Sequence, residues 1–80
     1  MATVTLYTGR GCHLCDDARE ALSRVHLVVP FEWEEIEIDG DPQLEFRWRE
    51  ELPVVCVDGR KLFKFRVDEG KLEQALRARG

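Results

Sequence analysis

Along residues 3–8, TVTLYT, the apolar Val4 and Leu6 alternate with threonines, the period-two pattern of a strand. Gly9, Arg10 and Gly11 break it. From Leu14 the period changes: Leu14, Ala18, Ala21, Leu22 and Val25 fall at i, i+4, i+7, i+8 and i+11, one face of a helix running to about His26. Asp16 and Asp17 in its first turn suit the positive end of the helix dipole. Pro30 and Phe31 open a second extended segment, FEWEEIEID, whose parity slips. Phe31 and Trp33 share one face and Ile36 and Ile38 the other, which calls for a bulge near Glu34 or a strand covered on both faces.

Asp39-Gly40-Asp41-Pro42 ends that segment. Asp41 is an N-cap with Pro42 at the first helical position, predicting a short helix over Pro42 to about Arg49 with Leu44 and Trp48 as its buried stripe. Pro53 then opens the strand VVCV, where proline is tolerable only at the start. Asp58-Gly59 signals a hairpin, with Leu62 to Val67 returning. Asp68 caps a last helix whose Leu72, Ala75 and Leu76 face inward. The order is β-α-β-α-β-β-α. A right-handed crossover makes the first two strands parallel, and the hairpin adds two antiparallel ones. The expected fold class is α/β: a four-stranded mixed sheet with helices on both faces, residues 1–80 forming a single domain.

Composition narrows what such a domain can do. The 80 residues leave no room for a second core, and with 44% hydrophobic and 35% charged residues the chain reads as soluble and globular. Its longest apolar runs, Leu27 to Pro30 and Leu52 to Val57, are far short of the ~20 residues of a membrane span. No basic start leads into an apolar stretch, so no secretory signal is expected. The net charge is −4 and the cations alternate with carboxylates, which disfavours nucleic acid. Three cysteines are odd in number and too few to staple a secreted scaffold. A cytoplasmic monomer with reduced or cycling thiols is the expectation.

Two of those cysteines stand in GRGCHLCDDA, where the first strand hands over to the helix. That turn lies at the strand's carboxyl end, where α/β proteins usually bind ligands. At about 3.6 residues per turn, Cys15 falls beside the apolar face and Cys12 at the N-terminal cap, so one sulfur is exposed and the other shielded. A cysteine so placed, or in a Cys-x-x-Cys motif, has its pKa lowered to ~3.5–7.5 from ~8.5 by free amides and the dipole. Cys12 would attack a disulfide and Cys15 would resolve the mixed disulfide. Arg10 favours the Cys12 thiolate, while Asp16 and Asp17 oppose it. His13, if protonated, favours the thiolate and makes the disulfide form more oxidising; otherwise it is a solvent-exposed turn residue of little effect. Leu14 is expected to pack. Structural zinc needs four ligands, and Cys56, His13 and His26 form no second pair, so no metal site is expected. Cys56 is expected to be a buried inert thiol, and His26 a partner of the helix C-terminus.

At this point the chain resembles the glutaredoxin branch of the thioredoxin-like superfamily. LYTGRGCHLCDDAREAL looks like that family's opening, ELPVVCVDG resembles its proline-led third strand, and FEWEEIEID-GDP matches the strand and turn between them. The resemblance covers essentially the whole chain. It implies a cis Leu52-Pro53 bond, a loop set against the dithiol, and a Leu52 backbone that pairs with an extended substrate segment. Two departures stand out. The middle residues, His13 and Leu14, differ from the family's common Pro-Tyr. Before the last helix, where glutathione-binding members carry Gly-Gly, this chain reads Phe65-Arg66-Val67-Asp68-Glu69-Gly70. Bulky Val67 and the carboxylates of Asp68 and Glu69 oppose an anionic ligand there, with Arg66 placed to compensate.

The expected function is thiol–disulfide exchange, with Cys12 as nucleophile, Cys15 as resolving thiol, and Arg10, His13, Leu52 and Pro53 on the substrate side. Protein disulfides, glutathione or a thioredoxin-type reductase are the expected partners. No bound cofactor is expected, and glutathione is counted against as electron donor. The rival from the binding class is an iron–sulfur carrier using Cys12 in a dimer, since thiolates are the natural cluster ligands. A redox-inert interaction domain is the third reading. Tyr7, Leu14 and Leu52 are candidates for an apolar surround, with Tyr7 read as core.

Overall fold

The computed structural model of the protein describes residues 1–79. Strand β1 (Thr3–Thr8) leads into helix α1 (His13–His26), followed by β2 (Glu32–Glu37) and helix α2 (Pro42–Trp48). A 3-10 turn (Arg49–Glu51) then precedes β3 (Val54–Val57), β4 (Arg60–Lys64) and helix α3 (Glu69–Arg79). The sheet order is β2-β1-β3-β4, with β1 parallel to β2 and antiparallel to β3, and β3 antiparallel to β4. The expected mixed α/β sheet is the one found.

Strand parity divides the core in two. Val4 and Leu6 of β1 and Val55 and Val57 of β3 face α1 and α3, where Ala18, Leu22, Val25, Leu72 and Leu76 close over them. On the opposite face Val54 and Cys56 meet Ile38 and Trp48, with Tyr7, Leu44 and Leu52 packed around them. Helix α2 covers this side because Asp41 caps it, its carboxylate accepting from the amides of Gln43 and Leu44. Leu44 and Trp48 then point at the sheet, the stripe expected of them.

The parity of the second extended segment is explained without a bulge. Residues Glu32 to Glu37 pair in unbroken register with Thr3 to Thr8. Phe31 and Trp33 join the α1/α3 core while Ile38 joins the other, so this segment is covered on both faces. The polar side chains follow the same parity: Glu35 meets Arg19 of α1 at 2.6 Å, and Glu34 accepts from the Thr5 hydroxyl at 2.7 Å.

Three expectations need correction. The returning strand begins at Arg60 rather than Leu62, because a two-residue Asp58-Gly59 turn obliges Val57 to pair with Arg60. It ends at Lys64 rather than Val67, because Phe65 takes a left-handed backbone of φ 69° that cannot continue a ladder. Leu14 does not pack into the core. It is 39% exposed, and Cys15, 2% exposed, joins Ala18, Ala21, Leu22 and Val25 on the buried face of α1. In the first helical turn Leu14 lies on the flank of that face, at the rim of a groove.

His26 meets its neighbourhood through the Phe31 carbonyl, to which its Nε2–H donates at 3.1 Å, and its ring stands edge-on to that of Phe31. Among the described residues no helix is long and apolar enough to cross a membrane.

Leu22 is fully buried between α1 and the sheet. Leu22→Ala is expected to destabilise the fold by about 2–5 kcal/mol in urea or thermal unfolding, the range for emptying such a site. Three carboxyls, Asp39, Glu51 and Glu69, are held below their ordinary values, in each case first by a hydrogen bond from Arg49, Lys61 and Arg24 respectively. Their contribution is present above the unfolded-state value near pH 4 and is lost as pH falls through the lower folded-state values. Urea midpoints are therefore expected to fall on acidification below about pH 4, and a rising midpoint would contradict this.

Candidate functional site

The site is assembled where β1 ends. Gly11 turns the chain with φ 70°, a conformation that side chains resist, and delivers Cys12 as the N-cap of α1 with extended backbone (φ −88°, ψ 99°). The Cys15 amide, in the first turn of the helix, is shared between the Cys12 carbonyl and the Cys12 sulfur, each at 3.2 Å, so a helix-terminal N–H reaches that sulfur. Cys15 sits one turn on, buried against the core, while Cys12 is half-buried at the surface. The two cysteines, with Cα atoms 5.3 Å apart, are joined in a disulfide. The shielded and accessible sulfurs are the ones their helix positions predict.

Gly9 brings this loop against the one that carries Pro53. A Cβ on Gly9 would lie 2.6 Å from Cδ1 of Leu52, so the tip of Leu52 would have to turn away. The Leu52-Pro53 bond is cis, as the resemblance implies, and Pro53 is buried at the entrance to β3. Leu52, Gly9 and the dithiol turn thus form one packed surface.

Charge around the dithiol is mostly compensated. Arg10 places its guanidinium on Glu37 at 3.2 Å and is 83% exposed, so its charge is shared with a carboxylate. Its backbone N–H donates to Asp39 at 2.7 Å, and the other Asp39 oxygen accepts from Arg49 at 2.7 Å. Asp39 therefore ties the turn before Cys12 to the segment leading to Leu52. Asp16, expected to oppose a thiolate, is bridged by Arg19 at 2.8 Å. Arg10, Cys12, His13, Asp16 and Glu37 border a cavity of about 310 Å³ beside the sulfurs, with His13 exposed at its edge.

Cys56 lies on the other face of the sheet, with Ile38, Val54 and Trp48. Burial pushes its thiol pKa up, which keeps it protonated and unreactive. Tyr7 stacks on Trp48 with ring centres 5.4 Å apart, a core position, and burial followed by the neighbouring Cys56 raises its pKa. Among the described residues no group of three His, Cys, Asp or Glu side chains is placed to hold a metal ion.

A second groove, of about 340 Å³, runs between α1, from Leu14 to Arg24, and the β4–α3 connection. At its far end Arg24 grips Glu69 with two nitrogens, at 2.9–3.1 Å, holding that carboxyl below its ordinary value. Asp68 caps α3, its Oδ1 accepting from the Lys71 amide at 3.0 Å. Arg66 is exposed and lines the groove.

The structure thus gathers Arg10, Cys12, His13, Cys15, Leu52 and Pro53 at one end of the sheet. Asp39, Gly9 and Phe65 were not among the residues picked from sequence. Asp39 reads there as a strand terminator and Gly9 as a breaker, and only tertiary contact gives them a place at the site. Phe65 stands at the head of the Phe65-Arg66-Val67-Asp68-Glu69-Gly70 departure, but no local signal marks its left-handed backbone.

A family model described as Glutaredoxin-like domain (DUF836) matches residues 3–77. The glutaredoxin-like protein YDR286C homolog of Dictyostelium discoideum is 32% identical over 75 residues, covering 86% of this chain and 69% of that protein. The uncharacterised Mycobacterium tuberculosis protein Rv0508 is 34% identical over 74 residues, covering 86% and 76%. Among solved structures, XcR50 from X. campestris superposes with a TM-score of 0.78 at 34% identity, over 94% of this chain and 96% of that one. Fasciola hepatica thioredoxin shares the fold at a TM-score of 0.63 and 17% identity, over 99% and 81%. The chain belongs to the glutaredoxin-like domain family and has the thioredoxin-type fold, with a Cys-x-x-Cys pair at the start of its first helix.

Proposed function

We propose that the protein is a thiol–disulfide oxidoreductase working through Cys12 and Cys15. The observation that carries this is the unequal placement of the pair. Cys12 is the helix cap with the Cys15 amide aimed at its sulfur, and Cys15 is enclosed one turn behind it. A negative sulfur at Cys12 is favoured by that N–H and by the positive end of the α1 dipole.

In the reducing direction the Cys12 thiolate attacks one sulfur of a substrate disulfide. The substrate S–S bond breaks, its second sulfur leaves as a thiolate, and Cys12 is joined to substrate in a mixed disulfide. The Cys15 thiol then loses its proton and attacks Cys12 Sγ. The bond from Cys12 to substrate breaks, and the first substrate sulfur departs as a thiolate. Two electrons pass to the substrate, and the protein is left with its Cys12–Cys15 bridge. An external thiol or dithiol returns it to the reduced form by the reverse exchange. Arg10 and His13 border the approach to Cys12, and the backbone of Leu52, ahead of Pro53, is the surface for an extended substrate segment.

Each step has its own variant. Cys15→Ser is expected to accumulate mixed disulfides at Cys12, detectable by mass under non-reducing conditions, because nothing resolves them. Cys12→Ser is expected to form none and to lose disulfide-reducing activity by at least about a thousandfold, the scale of losing a nucleophile. If both variants kept full activity, the reading would fall.

A further inference from the structure

Exchange between Cys12 and a substrate lying along Leu52 needs two loops at a fixed spacing. One is the turn Gly9-Arg10-Gly11 that delivers Cys12, and the other is the segment of residues 49–52 that leads to the cis bond before Pro53. An extended substrate has to reach the Cys12 sulfur while its backbone runs beside that of Leu52, so the gap between the loops is part of the site. Apolar contact brings them together: a Cβ on Gly9 would fall 2.6 Å from the Leu52 side chain. Such contact has no direction and does not fix where one surface sits along the other. Hydrogen bonds do.

Asp39 supplies the directional part. It follows Ile38, whose side chain is fully buried and whose amide donates to the Thr8 carbonyl at 2.9 Å, so the sheet fixes its backbone next to the end of β1. The Asp39 side chain is 17% exposed. Each of its oxygens takes a donor from a different loop at 2.7 Å, Oδ2 from the Arg10 amide and Oδ1 from the Arg49 guanidinium. Glu45 steadies the same Arg49 nitrogen at 3.2 Å. The far side of the Leu52 loop is held by the hairpin, where Lys61 meets Glu51 at 2.7 Å and the Phe65 amide donates to the Pro53 carbonyl at 2.9 Å. The loop is thus fixed from behind by β4 and from the dithiol side by Asp39. Asp39 does not line the cavity beside the sulfurs, so any effect it has there passes through the loops it holds.

We infer that Asp39 is a positioning residue for thiol–disulfide exchange: its carboxylate sets the gap between Cys12 and the Leu52 backbone, and so governs exchange with a substrate that must lie across that gap. The inference rests on the oxidoreductase reading and adds to it a residue that acts through others. A small disulfide meets the sulfur alone and is indifferent to the gap. A disulfide within an extended chain is not, since a misplacement of about 1 Å can cost about a hundredfold in rate.

The test compares two disulfides that share a leaving thiol. One is hydroxyethyl disulfide, and the other is an extended peptide whose central cysteine is joined to mercaptoethanol. The Cys12 thiolate of the reduced protein attacks, mercaptoethanol leaves as its thiolate, and Cys15 closes the bridge and releases the second thiol. Formation of the Cys12–Cys15 bridge is followed by acid quench and mass. In Asp39→Ala the ratio of peptide rate to hydroxyethyl disulfide rate is expected to fall about tenfold, with the latter rate staying within about twofold of wild type. Asp39→Asn keeps the side-chain volume and one acceptor oxygen, so a fall of about threefold is expected, and it carries the test should Asp39→Ala not fold. Adding Arg49→Ala to Asp39→Ala is expected to change the ratio no further, since both remove one tie. A ratio unchanged in both Asp39 variants, a further fall in the double variant, or the two rates falling together overturns the inference and leaves the oxidoreductase reading standing. If wild type reduces neither disulfide, that reading falls and takes the inference with it.

Discussion

The junction of β1 and α1 is the constraint on which the rest of the structure depends. β1 is flanked on both sides by other strands, so its carboxyl end is fixed, and α1 must start within a few residues of it. Gly11 makes the turn, and Cys12 becomes the one residue left outside the helix while still touching it. The helix must then bury Cys15, because Ala18, Leu22 and Val25 on the same face are held by the sheet. The difference between the two sulfurs follows from helix geometry set against a core, with no further residue needed to create it.

The two faces of the sheet divide the labour. The α1/α3 face contains the larger core and fixes the direction of the dithiol helix. The α2 face is smaller, and it positions the chain that returns to the site. Trp48 anchors the end of α2, Arg49 reaches back to Asp39, and the chain then delivers Leu52 and Pro53 beside Gly9. Asp39 is shared by both sides, accepting from the Arg10 amide and from the Arg49 side chain. An exposed ion pair adds little stability. Here its consequence is positional, since one carboxylate sets the distance between two loops that must meet.

Most of the architecture was legible in the sequence because its signals are local and agree with one another. The period changes from two to 3.6 at Leu14, the Asp41-Pro42 cap is unmistakable, and Asp58-Gly59 fixes a hairpin. The cysteine pair could be read as accessible and shielded from helix geometry alone. Legibility failed where a residue's role depends on what lies across from it. Leu14 fits the apolar stripe of α1 by spacing, yet in the first turn it lies at a groove's rim. The parity of FEWEEIEID could not choose between bulge and two-sided burial, because the choice is made by α1 on one side and α2 on the other. The end of β4 is not legible in the sequence, because nothing in Lys64-Phe65-Arg66 announces a left-handed phenylalanine.

That phenylalanine also shows why the segment before α3 differs in kind from the rest of the site. Elsewhere around the dithiol, polar groups are directed at one another to hold the loops in place, as in Asp39 with Arg10 and Arg49. At the head of α3 the internal pairing has a second effect. The carboxylate that caps α3 at the Lys71 amide and the one that engages Arg24 can be replaced by a ligand's carboxylate only by breaking a charge-assisted bond. Specificity can arise from such prior satisfaction as readily as from a built pocket, because discrimination is a difference between two affinities and lowering one is enough.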